Sequence, residues 1–288
     1  AAAICAKLAH VPYLIRPLGV LGKWGMQHRR PWLKKLSFWL IESHILRNAA
    51  GVHYTSEQES EEATQLGVKH TSLIIANPVD IVAARTTRGS FRATYPALAS
   101  KTIVLFLSRI DTKKGLPLLL SAYARLRLNY PNVVLVVAGD GDRTLIDDLK
   151  RQAHQLGLGQ AILWTGFLQG EAKVNILADA DVFVLPSYSE NFGVAVVEAM
   201  AAGLPVIISD QVGIHQEIAE AGAGVVIQCD VNELEAAMVR MLSNAELRQR
   251  MGANAAALAE LFAPPTIALQ LKQAYSQVLK KCPRPAVV

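Results

Sequence analysis

The stretch Ser187 to Val206 reads SYSENFGVAVVEAMAAGLPV, and its reading decides the fold. Directly before it, Val182-Phe183-Val184-Leu185 is an unbroken apolar run. Such a run without alternation is the pattern of a strand buried on both faces of a parallel sheet. Gly193 then opens a helical run, and Val206-Ile207-Ile208 begins the next apolar stretch. The same grammar continues outward from about Lys101 to Gln228. Short aliphatic runs at Ile103–Leu107, Val133–Val137, Ala161–Trp164 and Val225–Ile227 alternate with helical segments at Leu116–Leu128 and Arg143–Leu156. This is the βαβ order of a doubly wound α/β sheet.

Two carboxylates, Glu190 and Glu198, flank Gly193 eight positions apart. A helix N-terminus offers amide groups and a partial positive charge to a phosphate. Ionised carboxylates are acceptor-only groups and suit sugar hydroxyls. Together they fit a ligand with a sugar, a phosphate in the middle and a second polyol. Ser108-Arg109-Ile110-Asp111-Thr112-Lys113-Lys114-Gly115 follows the first strand, at the strand end where open α/β sheets bind ligands. Its cations Arg109 and Lys114 suit a diphosphate, and a solvated basic loop is the plain alternative. Gly139-Asp140-Gly141-Asp142 follows the second strand, where Asp140 or Asp142 serves equally as a helix cap. Glu198 as a solvent-facing helix residue, Glu190 as a cap and Arg143 as surface charge also stay open.

A rival reading makes Glu190 and Glu198 the carboxyl pair of a glycoside hydrolase. Retaining hydrolases need about 5–5.5 Å between carboxyls, inverting ones about 6.5–9.5 Å. Eight residues of helical rise separate the two backbones by about 12 Å, which argues against a retaining pair.

A net charge of +5 suits acidic small ligands or an anionic membrane surface. The sequence carries no nucleic-acid-binding motif. Cys5, Cys229 and Cys282 are scattered, so neither a disulfide framework nor a zinc site is expected, and a cytoplasmic setting is. The seven histidines form no metal-binding arrangement, and no apolar run reaches the length of a bilayer span.

Residues 1–80 read as a different unit. A strand-like Val11–Ile15 precedes a basic, Trp-rich segment and a long helix to about Ala50. A helix over Glu57–Leu66 and a strand at Ser72–Ile75 follow. Within residues 23–39, Lys23, Arg29, Arg30, Lys34 and Lys35 interleave with Trp24, Trp32, Leu33, Leu36, Phe38 and Trp39. Peripheral membrane contact and a core helix with a basic outer face are both open for this segment. Asn77-Pro78-Val79-Asp80 and the polar stretch that follows to Ser100 read as a connection between domains. The expected division is 1–80, 81–265 and a C-terminal helix over 266–288 packing back on the first part. The apolar positions of that helix are read as Ile267, Leu271, Tyr275, Val278 and Leu279. The chain opens on Ala1-Ala2-Ala3-Ile4 without Met, as if within a helix, so its true N-terminus is expected upstream.

Pro186-Ser187, the Glu190 to Glu198 spacing, Glu198-Ala199-Met200 and Gly203-x-Pro205-Val206 together resemble the retaining glycosyltransferases of family 4. The resemblance spans about Leu14 to Ala263. It implies the GT-B architecture of two Rossmann-like domains, the N-terminal one incomplete and lacking roughly 100 residues. A histidine frequent near the donor sugar in that family would then lie upstream of Ala1. The implied activity is hexosyl transfer from a nucleotide-sugar to a hydroxyl of a glycan or lipid-linked acceptor, with retention and without cofactor or divalent metal. By the same resemblance Glu190 contacts the donor sugar and Glu198 the ribose. Arg109 and Lys114 grip the diphosphate. Gly139, Phe167, Leu168 and the backbone of Asn191, Phe192, Gly193 and Val194 line the donor site. Gly19 matches a glycine near the family's cleft. A catalytically silent nucleotide-sugar-binding domain, or another GT-B enzyme such as an epimerase, are the alternatives.

Overall fold

The computed structural model describes residues 2–22, 31–81 and 88–281. The chain divides into two compact units, Ala1–Pro78 with Pro264–Val288, and Val79–Ala263.

The first unit runs α1 (Ala2–Leu8), β1 (Leu14–Ile15), α2 (Pro31–Ser37), α3 (Ser43–Arg47), β2 (Gly51–Tyr54), α4 (Glu57–Thr64) and β3 (Ser72–Ile74). A π-helical turn over Phe38–Glu42 joins α2 to α3. The strands are parallel in the order β1-β2-β3. β1 is shorter than the sequence pattern predicted. Val11 is exposed and Pro12 has no amide hydrogen to give a ladder, so pairing begins only at Leu14. The helix predicted to reach Ala50 ends at Arg47, and the Ala50 amide instead bonds the Tyr13 carbonyl at 2.9 Å. Phe38, Leu46, Val52 and Tyr54 form the core of this unit.

The second unit holds α5 (Ser90–Thr94), β4 (Thr102–Leu107), α6 (Leu116–Arg127), β5 (Val133–Ala138), α7 (Arg143–Gln155), β6 (Ile162–Gly166), α8 (Gly170–Asp179) and β7 (Val182–Leu185). It continues with α9 (Val194–Ala201), β8 (Val206–Ser209), α10 (His215–Ala221), β9 (Gly224–Ile227), α11 (Val231–Ser243) and α12 (Ala245–Ala259). Its six strands are all parallel, ordered β6-β5-β4-β7-β8-β9. Ile103, Val104, Leu105, Phe106 and the whole of β7 are buried, as strands covered by helices on both faces must be. The chain builds outward from β4 to β6, then returns to place β7 on the other side of β4. That switch point leaves a crevice at the carboxyl ends of β4 and β7.

Within the stretch that reads as a connection, Ser90–Thr94 is helical and Pro96–Leu98 forms a 3-10 turn. Asp179, fully buried at the end of α8, accepts hydrogen bonds from the amides of Gly89 and Arg92. Asp181 accepts from the Ile103 amide at 2.8 Å and pairs with Arg88 and Arg92. These bonds satisfy the amides at the start of α5 and fix it against the sheet.

The last helix, α13 (Pro264–Lys281), belongs to the first unit. Ile267 and Val278 are buried, but Tyr275 and Leu279 are exposed, contrary to the predicted apolar face. Tyr275 and Leu279 follow Ala274 and Val278 by one residue, about 100° around the helix, which turns them out.

Candidate functional site

Lys114 and Glu190 meet at the switch point. Lys114 sits in the turn after β4, only 6 % exposed, and its ammonium donates to the Glu190 carboxylate from the turn after β7. Burial, then the like charges of Lys113 and Arg109, push the Lys114 ammonium down to about 8, with Asp111 opposing them. The Glu190 carboxylate against it also favours the charged form, so the pair holds its cation at neutral pH. Both carriers are fixed by backbone. The Tyr188 amide donates to the Lys113 carbonyl at 2.7 Å. The Glu190 amide donates to Gln211 at 3.0 Å and its carbonyl accepts from Gly213 at 2.8 Å, so the turn is zipped to the loop after β8. Gly115 has φ +69, and a Cβ there would overlap the Pro186 carbonyl oxygen. Only glycine lets the two turns approach this closely.

Glu198 lies on α9 and pairs with Lys173 of α8 at 2.7 Å, the side chains 18 % and 30 % exposed. α9 starts at Gly193, which takes φ +95 as its cap, and the Val196 and Val197 amides bond the Gly193 carbonyl. Phe192 is buried edge-on against Phe262, ring centroids 5.5 Å apart, so it can offer a ligand only its backbone. Val194 is exposed beside it.

Arg109 is exposed and lies 3.6 Å from Asp111, outside the Lys114–Glu190 pair. Gly139 closes against Ser108, and the Ile110 amide bonds the Asp140 carbonyl at 2.8 Å, tying the β4 turn to the β5 turn. A depression of about 210 Å³ opens there, lined by Ile110, Gly139, Arg143, Trp164 and Gly166. Phe167 projects into solvent after β6, and Leu168 is half-buried. No cluster of three or more His, Cys, Asp or Glu able to hold a metal occurs among the described residues.

Two contributors escaped the sequence reading. Lys173 carries no motif signal, since its partner is known only once α8 and α9 are placed. In the first unit, buried Glu59 accepts from the Gly19 amide at 2.7 Å and from the Thr55 amide and hydroxyl at 2.8 Å. It thereby holds the turn after β1, where Leu18 adopts a positive φ.

Residues 88–258 match the family described as glycosyl transferases group 1, and residues 1–78 match the glycosyl transferase 4-like domain. The chain belongs to the group 1 glycosyl transferases. It is 28% identical to the alpha-D-kanosaminyltransferase of Streptomyces kanamyceticus over 75% of this chain and 57% of that protein. It is 31% identical to the phosphatidyl-myo-inositol mannosyltransferase of Mycolicibacterium smegmatis over 61% of this chain and 45% of that protein. The chain thus spans about half the length of these curated relatives. Among solved structures, sucrose-phosphate synthase from Thermosynechococcus elongatus matches with TM-score 0.80 and 26% identity, covering 94% of this chain and 69% of that one. Anabaena HepE in complex with UDP matches with TM-score 0.85 at 22% identity, over 96% of this chain and 75% of that one. The fold class is therefore the two-Rossmann GT-B class of this family.

Gly115→Ala is expected to cost at least about 2 kcal/mol, from a positive φ and overlap with a backbone carbonyl. Urea denaturation measures it. A loss under about 0.5 kcal/mol would show that the two turns are not locked through this contact.

Proposed function

We propose that this chain binds a nucleotide-sugar at the carboxyl edge of the six-stranded sheet and transfers its hexose to an acceptor hydroxyl with retention of configuration. The observation that carries the reading is the pairing of buried Lys114 with half-buried Glu190 at the switch point. Lys114, with Arg109 able to swing in from solvent, would hold the diphosphate, and the start of α9 would add its amides. Glu190 would accept hydroxyls of the donor sugar and Glu198 those of the ribose. The acceptor hydroxyl would attack on the face from which the nucleoside diphosphate leaves. Lys114, Arg109 and the helix terminus would stabilise the departing charge, so no divalent metal or cofactor is required. The named activities of the curated relatives support sugar transfer in glycan or glycolipid synthesis, and UDP in the HepE structure makes uridine the first base to try.

The acceptor is proposed to be a glycan or lipid-linked sugar, reached through peripheral contact with an anionic membrane face. Trp32, Trp39, Leu40 and Ile41 are 66%, 57%, 69% and 57% exposed over α2 and the π-helical turn, beside the exposed Lys35. Tryptophan with lysine on an exposed helix suits an anionic leaflet. No described helix is long and apolar enough to cross a membrane, so the contact would lie in the surface. Lys23, Trp24, Arg29 and Arg30 of this segment lie outside the described residues.

In a thermal-shift titration with UDP, GDP and ADP, one nucleotide should stabilise the chain, with EDTA making no difference. A ligand at 100 times its dissociation constant contributes about 2.7 kcal/mol. Glu198→Ala should cut the shift to about half or less, and no shift from any nucleotide would overturn the donor reading. The pH response has a definite sign. Below about 8 Lys114 carries its proton, and above it the cation is lost earlier than in a free lysine. Affinity should fall as pH rises through 8, by up to about tenfold per unit, and stay flat in Lys114→Arg, whose guanidinium remains charged. A flat wild-type profile would remove Lys114 from the diphosphate site.

For the membrane contact, co-sedimentation with phosphatidylglycerol vesicles should exceed that with phosphatidylcholine vesicles. It should weaken at about 1 M salt and in the Trp32→Ala, Trp39→Ala double variant. Equal sedimentation with both lipids, or self-association that the double variant abolishes, would overturn it.

A further inference from the structure

Both glutamates of the motif are matched to a lysine from an earlier βα unit. Glu190 has Lys114, and Glu198 has Lys173. The second pairing has no counterpart in the motif reading, because Lys173 lies in the first turn of α8, past the loop that follows β6 and outside every motif quoted above. The pair is half-sheltered, and its geometry is specific: the ammonium donates to Oε1 of Glu198 at 2.7 Å. That contact engages one carboxylate oxygen and leaves Oε2 as an acceptor.

We infer that Lys173 is a positioning residue that turns Glu198 into a selective acceptor for the vicinal hydroxyls of a ribose. The inference rests on the donor-site reading above. Three physical arguments carry it. A glutamate side chain has three rotatable bonds, and ordering it on ligand binding costs rotamer entropy, which a standing ion pair removes beforehand. A bare carboxylate beside an anionic nucleoside diphosphate repels it, and the adjacent ammonium offsets that charge. A hydroxyl bonded to a charged, pre-oriented acceptor is discriminated strongly from its absence, because the acceptor is otherwise left without its partner in a sheltered place. Lys173 would not touch the nucleotide; it acts through Glu198.

A purely structural ion pair between α8 and α9 is the competing role, and the two make different measurements move. The test is binding of the nucleoside diphosphate that binds best among UDP, GDP and ADP, compared with its 2′-deoxy and 3′-deoxy forms. Wild type, Lys173→Met, Lys173→Arg and Glu198→Gln are titrated calorimetrically, with thermal midpoints recorded for each. Wild type should prefer the ribose form over at least one deoxy form by about tenfold or more, the scale of a hydrogen bond to a charged group. Lys173→Met should reduce that ratio to about threefold or less, by weakening the ribose form more than the deoxy form. Lys173→Arg should restore most of the ratio, and Glu198→Gln should lose it. A Lys173→Met variant that keeps the wild-type ratio overturns the inference, whatever its thermal midpoint. If wild type binds a nucleotide but Glu198→Gln keeps the full ratio, the ribose assignment of Glu198 falls and the inference with it. Failure of every nucleotide to bind wild type strikes the donor reading itself, an outcome separable from the others.

Discussion

The second unit depends, at the carboxyl edge of its sheet, on one ion pair between a buried lysine and a half-buried glutamate. Lys114 and Glu190 stand 76 positions apart in the chain and meet because the sheet places β4 beside β7. A buried cation is tolerable only with a partner, and removing one member of such a pair typically costs about 3–5 kcal/mol. The pair therefore has a structural role of its own. It requires the β4 and β7 turns to keep their register, and Gly115 against the Pro186 carbonyl supplies the closeness that the register needs. The backbone bonds from Tyr188 to Lys113 and between Glu190 and the β8 loop extend the same lock to three strands.

That lock explains how a site made of turns can be rigid. Loops at a switch point have no ladder to hold them, and here their own backbone groups form short bridges instead, Ile110 with Gly141 and Glu190 with Val212. Charges are thus placed before any ligand arrives, which is the condition for electrostatic stabilisation of a departing anion. Arg109 is the exception. Its exposed guanidinium sits outside that cluster, paired at 3.6 Å with Asp111.

The first unit uses the opposite device. Glu59 is a buried carboxylate that three donors from Gly19 and Thr55 satisfy. Its work is to shape the turn after β1, again at the carboxyl end of a parallel strand. Outside that core the helical stretch from Pro31 leaves large apolar side chains facing outward, which sets it apart from the buried faces of the second unit.

Much of this was legible in the sequence. The runs around β4, β5, β7 and β8 announced buried parallel strands, because residues covered on both faces must all be apolar, and Glu190 and Gly193 of Ser187–Val206 fell in the turn between β7 and α9. Local pattern failed where burial depends on neighbours. β1 shrank at Pro12, the exposed side of α13 took Tyr275 and Leu279, and residues 90–98 became structure through the bonds of Asp179 and Asp181. By itself the sequence determined the fold class and family of this chain and which charged side chains stand at its strand ends. Only the tertiary structure decided which of those charges pair, leaving Arg109 apart, joining Lys114 to Glu190 and giving Glu198 the unannounced Lys173. The reason is physical: periodicity and turn chemistry act over a few residues, whereas an ion pair is set by strand order, which brings together residues far apart in the chain.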